Sequence, residues 1–285
     1  MEVIRERSAW REALEALRDK SERIGLVPTM GALHDGHLSL VSAARRSGHL
    51  CALSIFVNPL QFGDAADLDA YPRDLETDLG LADDAGVAVV FAPSVAEMYP
   101  EGAPSTTVVP GPAARVLEGR SRPAHFEGVA TVLTKLFSLT GACSAYFGEK
   151  DFQQLVVVRK LASDLDLPVE VVGCPTVREP DGLAMSSRNR RLSPPGRNAA
   201  LALHRSLATG RRLLEAGEVD PERVEAAMGA VLEAEELVVC DYVAVADAAT
   251  LERPGRVGGE VRLLVAATVE GVRLIDNMPG PPARP

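Results

Sequence analysis

His34 and His37 stand three residues apart in the stretch Met30-Gly31-Ala32-Leu33-His34-Asp35-Gly36-His37. A short apolar run precedes the stretch and a helical pattern follows it, so it reads as a strand-to-helix turn. Gly31 and Gly36 would let the backbone come close to a ligand, and a helix start favours an anion. Histidines at this spacing can share one face of the first turn and donate to phosphate oxygens, those of a nucleotide above all. Two other readings stand beside this one. The pair could be plain polar residues at a helix start, or half of a zinc site, for which no third ligand is evident and the His-Glu-x-x-His pattern is absent.

Gly148-Glu149-Lys150-Asp151 ends another apolar run and opens another helix. Lys150 is a mobile point charge suited to phosphate, and Asp151 suits a helix cap or a sugar hydroxyl. A capped surface turn is the plainer alternative. In Met185-Ser186-Ser187-Arg188-Asn189, two hydroxyls and a guanidinium in a row could cover a triphosphate or form a polar interdomain linker. The uncharged amides of Asn58, Gln61 and Gln154 can hold hydroxyls and a carboxylate without strong ion pairing. Phe56, Leu60 and Phe62 around the first two point to a lined pocket rather than a surface loop. Arg122-Pro123-Ala124-His125 reads as a flexible wall leading into a helix, with His125 open between structural and functional roles.

These residues need elements to hold them. Apolar runs at Ile24 to Val27, Cys51 to Val57, Val87 to Phe91, Ala145 to Phe147 and Val169 to Val172 read as strands, Cys51 to Val57 and Val87 to Phe91 as buried ones. Between them, helical spacing runs from Leu38 to Ala44, from Pro72 to Ala85, from Glu127 to Thr140 and from Asp151 to Asp164. Such alternation predicts an open parallel sheet covered on both faces, with ligands beyond the carboxyl ends of its strands. Ala103 to Ala114 reads as a loop or flap over the sheet edge. Past Pro175 the pattern changes. A long amphipathic helix follows Ser193-Pro194-Pro195, and a second starts at Pro221. Strands at Leu237 to Val245, Val261 to Ala267 and Val272 to Ile275 come next, and Pro279 to Pro285 reads as a disordered tail. The fold class is therefore α/β: a parallel-sheet domain over residues 1–175, then a smaller α+β domain with an antiparallel sheet over 176–285.

The chain has 285 residues and a formal net charge of −10. An acidic surface argues against sequence-independent nucleic-acid binding. The charged first twenty residues hold no signal-peptide core, and no apolar run is long enough for a membrane span. The four scattered cysteines read as reduced thiols in a cytoplasmic protein.

Across almost the whole chain, the motifs are similar to those of the pantothenate synthetase family, within the adenylate-forming nucleotidyltransferases that carry His-x-Gly-His. The resemblance rests on Pro28 to His37, Phe56-Val57-Asn58-Pro59, Gln61-Phe62-Gly63, Tyr71-Pro72-Arg73, Tyr146 to Asp151, Gln153-Gln154, Ser186 to Asn189 and Arg273-Leu274-Ile275-Asp276-Asn277. It implies a homodimer in which a Rossmann-like catalytic domain binds ATP and pantoate and the C-terminal domain acts as a lid. It implies that ATP and Mg2+ drive the joining of pantoate to β-alanine through a pantoyl-adenylate, with release of AMP and pyrophosphate. His34, His37, Lys150 and Arg188 would then be catalytic, with His37 as proton donor. Met30, Gly31, Ala32, Leu33, His34, Asp35, Gly36, His37, Gly148, Glu149, Lys150, Asp151, Val177, Met185, Ser186, Ser187 and Arg188 would hold ATP. Gln61, Gln154, Asn58 and Tyr71 would hold the smaller substrates, and no resident metal set is expected. Ala124 and Glu127 depart from the glycine and basic residue the family leads one to expect, and Ser193-Pro194-Pro195-Gly196 looks stiffer than usual. Another small nucleotidyltransferase or a non-catalytic nucleotide-binding regulator are the rival readings.

Overall fold

Near-continuous Val, Ile, Leu and Cys runs make strands that are buried on both faces, and these strands build the first of two units in the computed structural model. The structure describes residues 1–63 and 65–281, with only the backbone at 65 and 66. The first unit comprises Met1–Glu149 and Gln153–Pro175; the second comprises Lys150–Phe152 and the chain from Thr176 onward.

In chain order, β1 (Glu2–Ile4), α1 (Arg7–Arg18), β2 (Ile24–Thr29), α2 (Asp35–Arg46) and β3 (Leu50–Ile55) lead to a 3-10 turn at Pro59–Gln61. Then come α3 (Ala65–Asp69), α4 (Leu75–Asp84), β4 (Val89–Phe91), α5 (Val95–Met98), α6 (Glu118–Ser121) and α7 (His125–Thr140). β5 (Cys143–Gly148), α8 (Phe152–Asp164) and β6 (Val169–Cys174) complete the series. The six strands are parallel, in the order β1-β4-β3-β2-β5-β6. From β2 the chain steps outward to β3 and β4; it then returns to lay β5 on the other side of β2. The strand order therefore reverses between β2 and β5, which pair at Gly25–Ser144 and Leu26–Ala145. Ligands in such sheets bind where the order reverses, beyond the carboxyl ends of the strands. The turns after Thr29 and Gly148 lie at those ends.

In the second unit, α9 (Pro194–Glu215) and α10 (Pro221–Glu233) precede β7 (Val238–Asp247), β8 (Val261–Val269) and β9 (Val272–Pro279). The three strands form an antiparallel sheet in the order β7-β8-β9. Leu203, Leu207, Met228 and Leu232 from the helices share one core with Leu263 and Val265 from the sheet.

Several boundaries differ from the sequence expectation. The charged N-terminus forms β1 and the amphipathic α1, which buries Trp10 and Leu14. The helix expected from Pro72 starts at Leu75, because Asp74 caps it by accepting from the Thr77 N–H and hydroxyl at 3.1 and 2.7 Å. β9 runs on to Pro279, the first residue of the expected tail, and residues 282–285 of that expectation lie outside those described. Ser193 caps α9 by accepting from the Gly196 N–H. Pro194 and Pro195 thus occupy a first turn that needs no N–H. Of 103–114, only Pro112–Ala114 forms a regular turn, and the Val108 N–H donates to Thr131 of α7 at 3.0 Å. The four cysteines are unpaired thiols, and burial pushes those of Cys51 and Cys143 up to about 12. Among the described residues, no helix is long and apolar enough to cross a membrane.

Trp10 ties α1 to the sheet. It is fully buried, its ring stacks on Phe91 at 5.1 Å, and its indole N–H donates to Thr140 at 3.2 Å. Trp10→Ala is expected to lower stability by about 3–5 kcal/mol, read from urea unfolding followed by circular dichroism. A loss below about 1 kcal/mol, the scale of an ordinary surface change, would contradict this role.

Candidate functional site

The turn after β2 is held in an unusual backbone conformation. Gly31 and Ala32 both have positive φ, at 82° and 52°, so two successive residues are left-handed. The carboxylate of Asp78, in the first turn of α4 and 3% exposed, accepts from the Ala32 and Leu33 N–H groups at 2.9 and 2.7 Å. A Cβ at Gly31 would lie 2.7 Å from Asp78 Oδ2, so glycine is required there by sterics as well as by φ. Farther along, His34 caps α2, and its Nδ1 accepts from the Gly36 N–H at 3.1 Å. In neutral His34 the proton therefore sits on Nε2, which makes that nitrogen the donor. The His34 and His37 rings lie 4.2 Å apart, centroid to centroid.

Several backbone amides of the turn already have acceptors. Gly31 donates to Thr29, Ala32 and Leu33 to Asp78, Gly36 to the His34 ring, and His37 to the His34 carbonyl. Met30 to His37 can still offer an anion the imidazole side chains and the helix dipole. Gly36 lies inside α2 without positive φ, so it is not a point of special backbone freedom.

Beside Met30 sits a pair of buried amides. Asn58 donates to Gln61 Oε1 and to the Gly128 carbonyl, both at 3.1 Å, and its Oδ1 accepts from the Tyr99 hydroxyl at 2.8 Å. Burial pushes the Tyr99 hydroxyl up, which keeps it a neutral donor. With both of its amide hydrogens donated within the protein, Asn58 orients Gln61. Gln61 then directs its NH2 group at Met30 Sδ, 3.0 Å away. Its main-chain carbonyl accepts from His125 at 2.9 Å and from Arg122 at 3.3 Å, which gives His125 a structural contact. Ala124 precedes α7 with φ −90°, a conformation open to any residue, so the missing glycine alters nothing locally. Glu127 lies in the first turn of α7, where a carboxylate suits the helix dipole. Tyr71 packs edge-on to Phe62 at 5.6 Å. A cleft of about 320 Å³ opens at the ends of β2, β3 and β4, walled by Met30, Phe56, Val57, Pro59 and Arg73.

At the end of β5, Gly148 has neither positive φ nor any atom within 4 Å of where a Cβ would stand. Gln153, one residue before the expected Gln154, is buried and fastens 113–118 to α8 through Ala113, Val116 and Glu118. Gln154 is half-buried on the next position of the same helix.

The cationic candidates belong to the second unit. Lys150 lies 3.4 Å from Asp151, a half-exposed pair worth little in stability. Val177 and Met185 are brought together, the Met185 N–H donating to the Val177 carbonyl at 3.0 Å. Ser186 caps the short turn that carries Ser187 and Arg188, and Asn189 anchors that turn to Glu179 and the Ala184 carbonyl. Arg197 holds both Glu179 and Asp181. Among the described residues, no group of three or more His, Cys, Asp or Glu is placed to hold a metal ion.

A parallel sheet with paired histidines and buried amides at the carboxyl ends of its central strands defines a Rossmann-like α/β protein. The sequence model described as Pantoate-beta-alanine ligase matches residues 2–279. A pantothenate synthetase of Moorella thermoacetica is 49% identical over 278 residues, covering 98% of each chain. The crystal structure of pantothenate synthetase from Thermus thermophilus superposes with a TM-score of 0.91 at 47% identity, over 98% of this chain and 99% of that one. A pantoate-beta-alanine ligase from Francisella tularensis, complexed with beta-gamma ATP and beta-alanine, gives 0.81 at 31% identity, over 98% and 97%. The chain belongs to the pantoate–β-alanine ligase family and is an enzyme of the ligase class.

Helix α7 meets the Pro59–Gln61 turn through Gly128, where a Cβ would stand 2.3 Å from the Leu60 carbonyl oxygen. Gly128→Ala is expected to cost about 1–3 kcal/mol in chemical denaturation, whereas Gly80→Ala, in open space on α4, should gain roughly 0.5–1 kcal/mol. Equal effects at the two sites would rule out the tight contact.

Proposed function

We propose that the chain uses ATP to join pantoate to β-alanine through a pantoyl-adenylate, releasing AMP and pyrophosphate. The observation that carries this reading is the His34–His37 pair, 4.2 Å apart, at the end of the strand where the sheet order reverses. The oriented amide of Gln61 beside Met30 supports it, as does the ATP and β-alanine complex of the Francisella tularensis relative.

A carboxylate resists amine attack because oxide is a poor leaving group; adenylation supplies a better one. The pantoate carboxylate attacks the α-phosphorus in line, and charge builds on the α-oxygens and the departing pyrophosphate. The His34 Nε2–H, His37, Lys150 and Arg188 stabilise that charge, by position and electrostatics rather than covalent chemistry. Gln61 and Gln154 hold pantoate, with Gln61 also near β-alanine and Tyr71 lining the approach. Gly148, Asp151, Val177 and Met185 shape the adenosine site, and Ser186 and Ser187 join Arg188 on the phosphates. Unprotonated β-alanine then attacks the acyl carbon, and AMP leaves. Mg2+ would enter with ATP as part of the substrate and would neutralise phosphate charge. The second unit serves as a lid that keeps water from the mixed anhydride. We further propose a cytoplasmic homodimer, which suits four unpaired thiols and an ATP-dependent reaction.

AMP release from ATP and Mg2+, with pantoate and β-alanine supplied together or singly, tests the reaction. AMP should appear in step with pantothenate only when both are present; nucleotide retained on a product would instead favour a nucleotidyltransferase. His37→Ala and Lys150→Ala should each slow single-turnover adenylation by about 10²-fold or more, the scale of a lost transition-state donor. Near-normal adenylation in both would sink those roles. Gln154→Ala should raise the pantoate KM and leave ATP affinity unchanged; the reverse pattern would place Gln154 at the nucleotide.

A further inference from the structure

Asp276 and Asn277 are adjacent on β9, and both are buried, at 4% and 3% exposure. Neighbouring residues of a strand face opposite sides of the sheet, so this pair reaches two different places. Asp276 takes the Arg178 guanidinium on both oxygens, at 2.7 and 2.9 Å. Arg178 also donates to the Gly182 and Asn277 carbonyls, at 3.0 and 3.2 Å. It thereby closes the ribbon from Val177 to Met185, whose rungs are the Arg178–Ala184 bridge and the hydrogen bond from Met185 to Val177. Asn277 instead donates its side-chain NH2 to the Lys150 carbonyl at 2.8 Å, while its Oδ1 accepts from Arg262 Nε at 2.6 Å. Arg262 lies over the Phe152 ring at 4.2 Å, two residues beyond Lys150.

One strand therefore fastens two segments that are far apart in sequence. We propose that Asp276 and Asn277 are positioning residues of the ATP site: Asp276 sets the Val177–Met185 ribbon, and Asn277 sets the main chain from which the Lys150 side chain springs. This inference rests on the proposed function only in taking those two segments to hold ATP. Neither residue is assigned a contact with substrate. Their influence passes through a bidentate ion pair with little exposure and a part-buried amide–carbonyl bond, contacts that lock geometry more firmly than surface pairs do.

The test uses Asn277→Asp, which keeps an acceptor for Arg262 but turns one towards the Lys150 carbonyl, and Asp276→Asn, which neutralises the partner of Arg178. Arg273→Ala on the same strand breaks a more exposed pair with Asp241 and is the control. Each protein is titrated with α,β-methylene-ATP by calorimetry and assayed for pantoate-dependent pyrophosphate exchange. Both site variants should lose about tenfold or more in analogue affinity and in the ATP KM, the scale of one lost buried hydrogen bond to a charged or carbonyl partner. The pantoate KM should stay within about twofold, well inside a single hydrogen bond's worth, and the Arg273→Ala control should match wild type. Unchanged analogue affinity in both variants, or ATP and pantoate KM values rising together with a lowered unfolding midpoint, would overturn the proposal. A wild type that binds the analogue without catalysing exchange would remove the proposed reaction, and the analogue affinities of the variants would still decide the positioning role. A wild type that binds no analogue would overturn both.

Discussion

The carboxylate of Asp78 fixes the direction in which the chain leaves β2, and the placing of both histidines depends on it. Two consecutive left-handed residues cost on the order of 1–3 kcal/mol when one of them is not glycine, and Ala32 is not. Two short hydrogen bonds from the Ala32 and Leu33 amides to one buried carboxylate offset that cost, since bonds to a charged acceptor are each worth roughly 1.5–3 kcal/mol. The bend in turn lets His34 cap α2 through its own ring and brings His37 to its side. The Ala32 and Leu33 amides are thereby taken, and the histidine side chains are among the groups left to meet an anion arriving there.

The same tactic recurs at the other candidate groups: a remote side chain seizes a backbone carbonyl or amide and so aims a neighbouring functional side chain. His125 and Arg122 seize the Gln61 carbonyl; Asn58, braced by Tyr99 and the Gly128 carbonyl, turns the Gln61 amide. Asn277 seizes the Lys150 carbonyl. Residues at strand ends lie in connecting segments, which are mobile by default, and a supporting shell on helices and strands is what makes such segments precise enough for chemistry. The chain places its supports on α4, α7 and β9, elements whose own cores are well packed, and leaves the strand ends to carry the groups that act.

This division explains what could be read from the residues beforehand. Strands buried on both faces announce themselves as unbroken apolar runs, so the parallel sheet and its alternation with helices were visible. Chemistry-bearing side chains clustered at run ends were visible for the same reason. The supports were not. Asp78 follows Asp74 at helical spacing, and nothing local separates a residue that caps its own helix from one that reaches across 46 positions to cap a distant turn. Gly128 inside α7 looks like a weak helix residue until the Leu60 carbonyl is found against it. Asn277 carries the polar end of a strand pattern, and its partner lies 127 residues away. β1 is three residues long and opens on a charged residue, so only its pairing with β4 reveals it. Long-range contacts of this kind leave no periodicity behind.

Glycines separate the demands of the fold from the demands of a ligand. Gly31 is required by its φ and by Asp78, and Gly128 by the Leu60 carbonyl; the protein itself forbids a side chain at either. Gly148 differs. It ends β5, its φ needs no glycine, and a Cβ would meet nothing within 4 Å. A glycine the protein does not need, at the carboxyl end of a strand where the sheet order reverses, makes sense if something outside the chain comes close to the backbone there. That is the place at which the proposed function puts the adenosine.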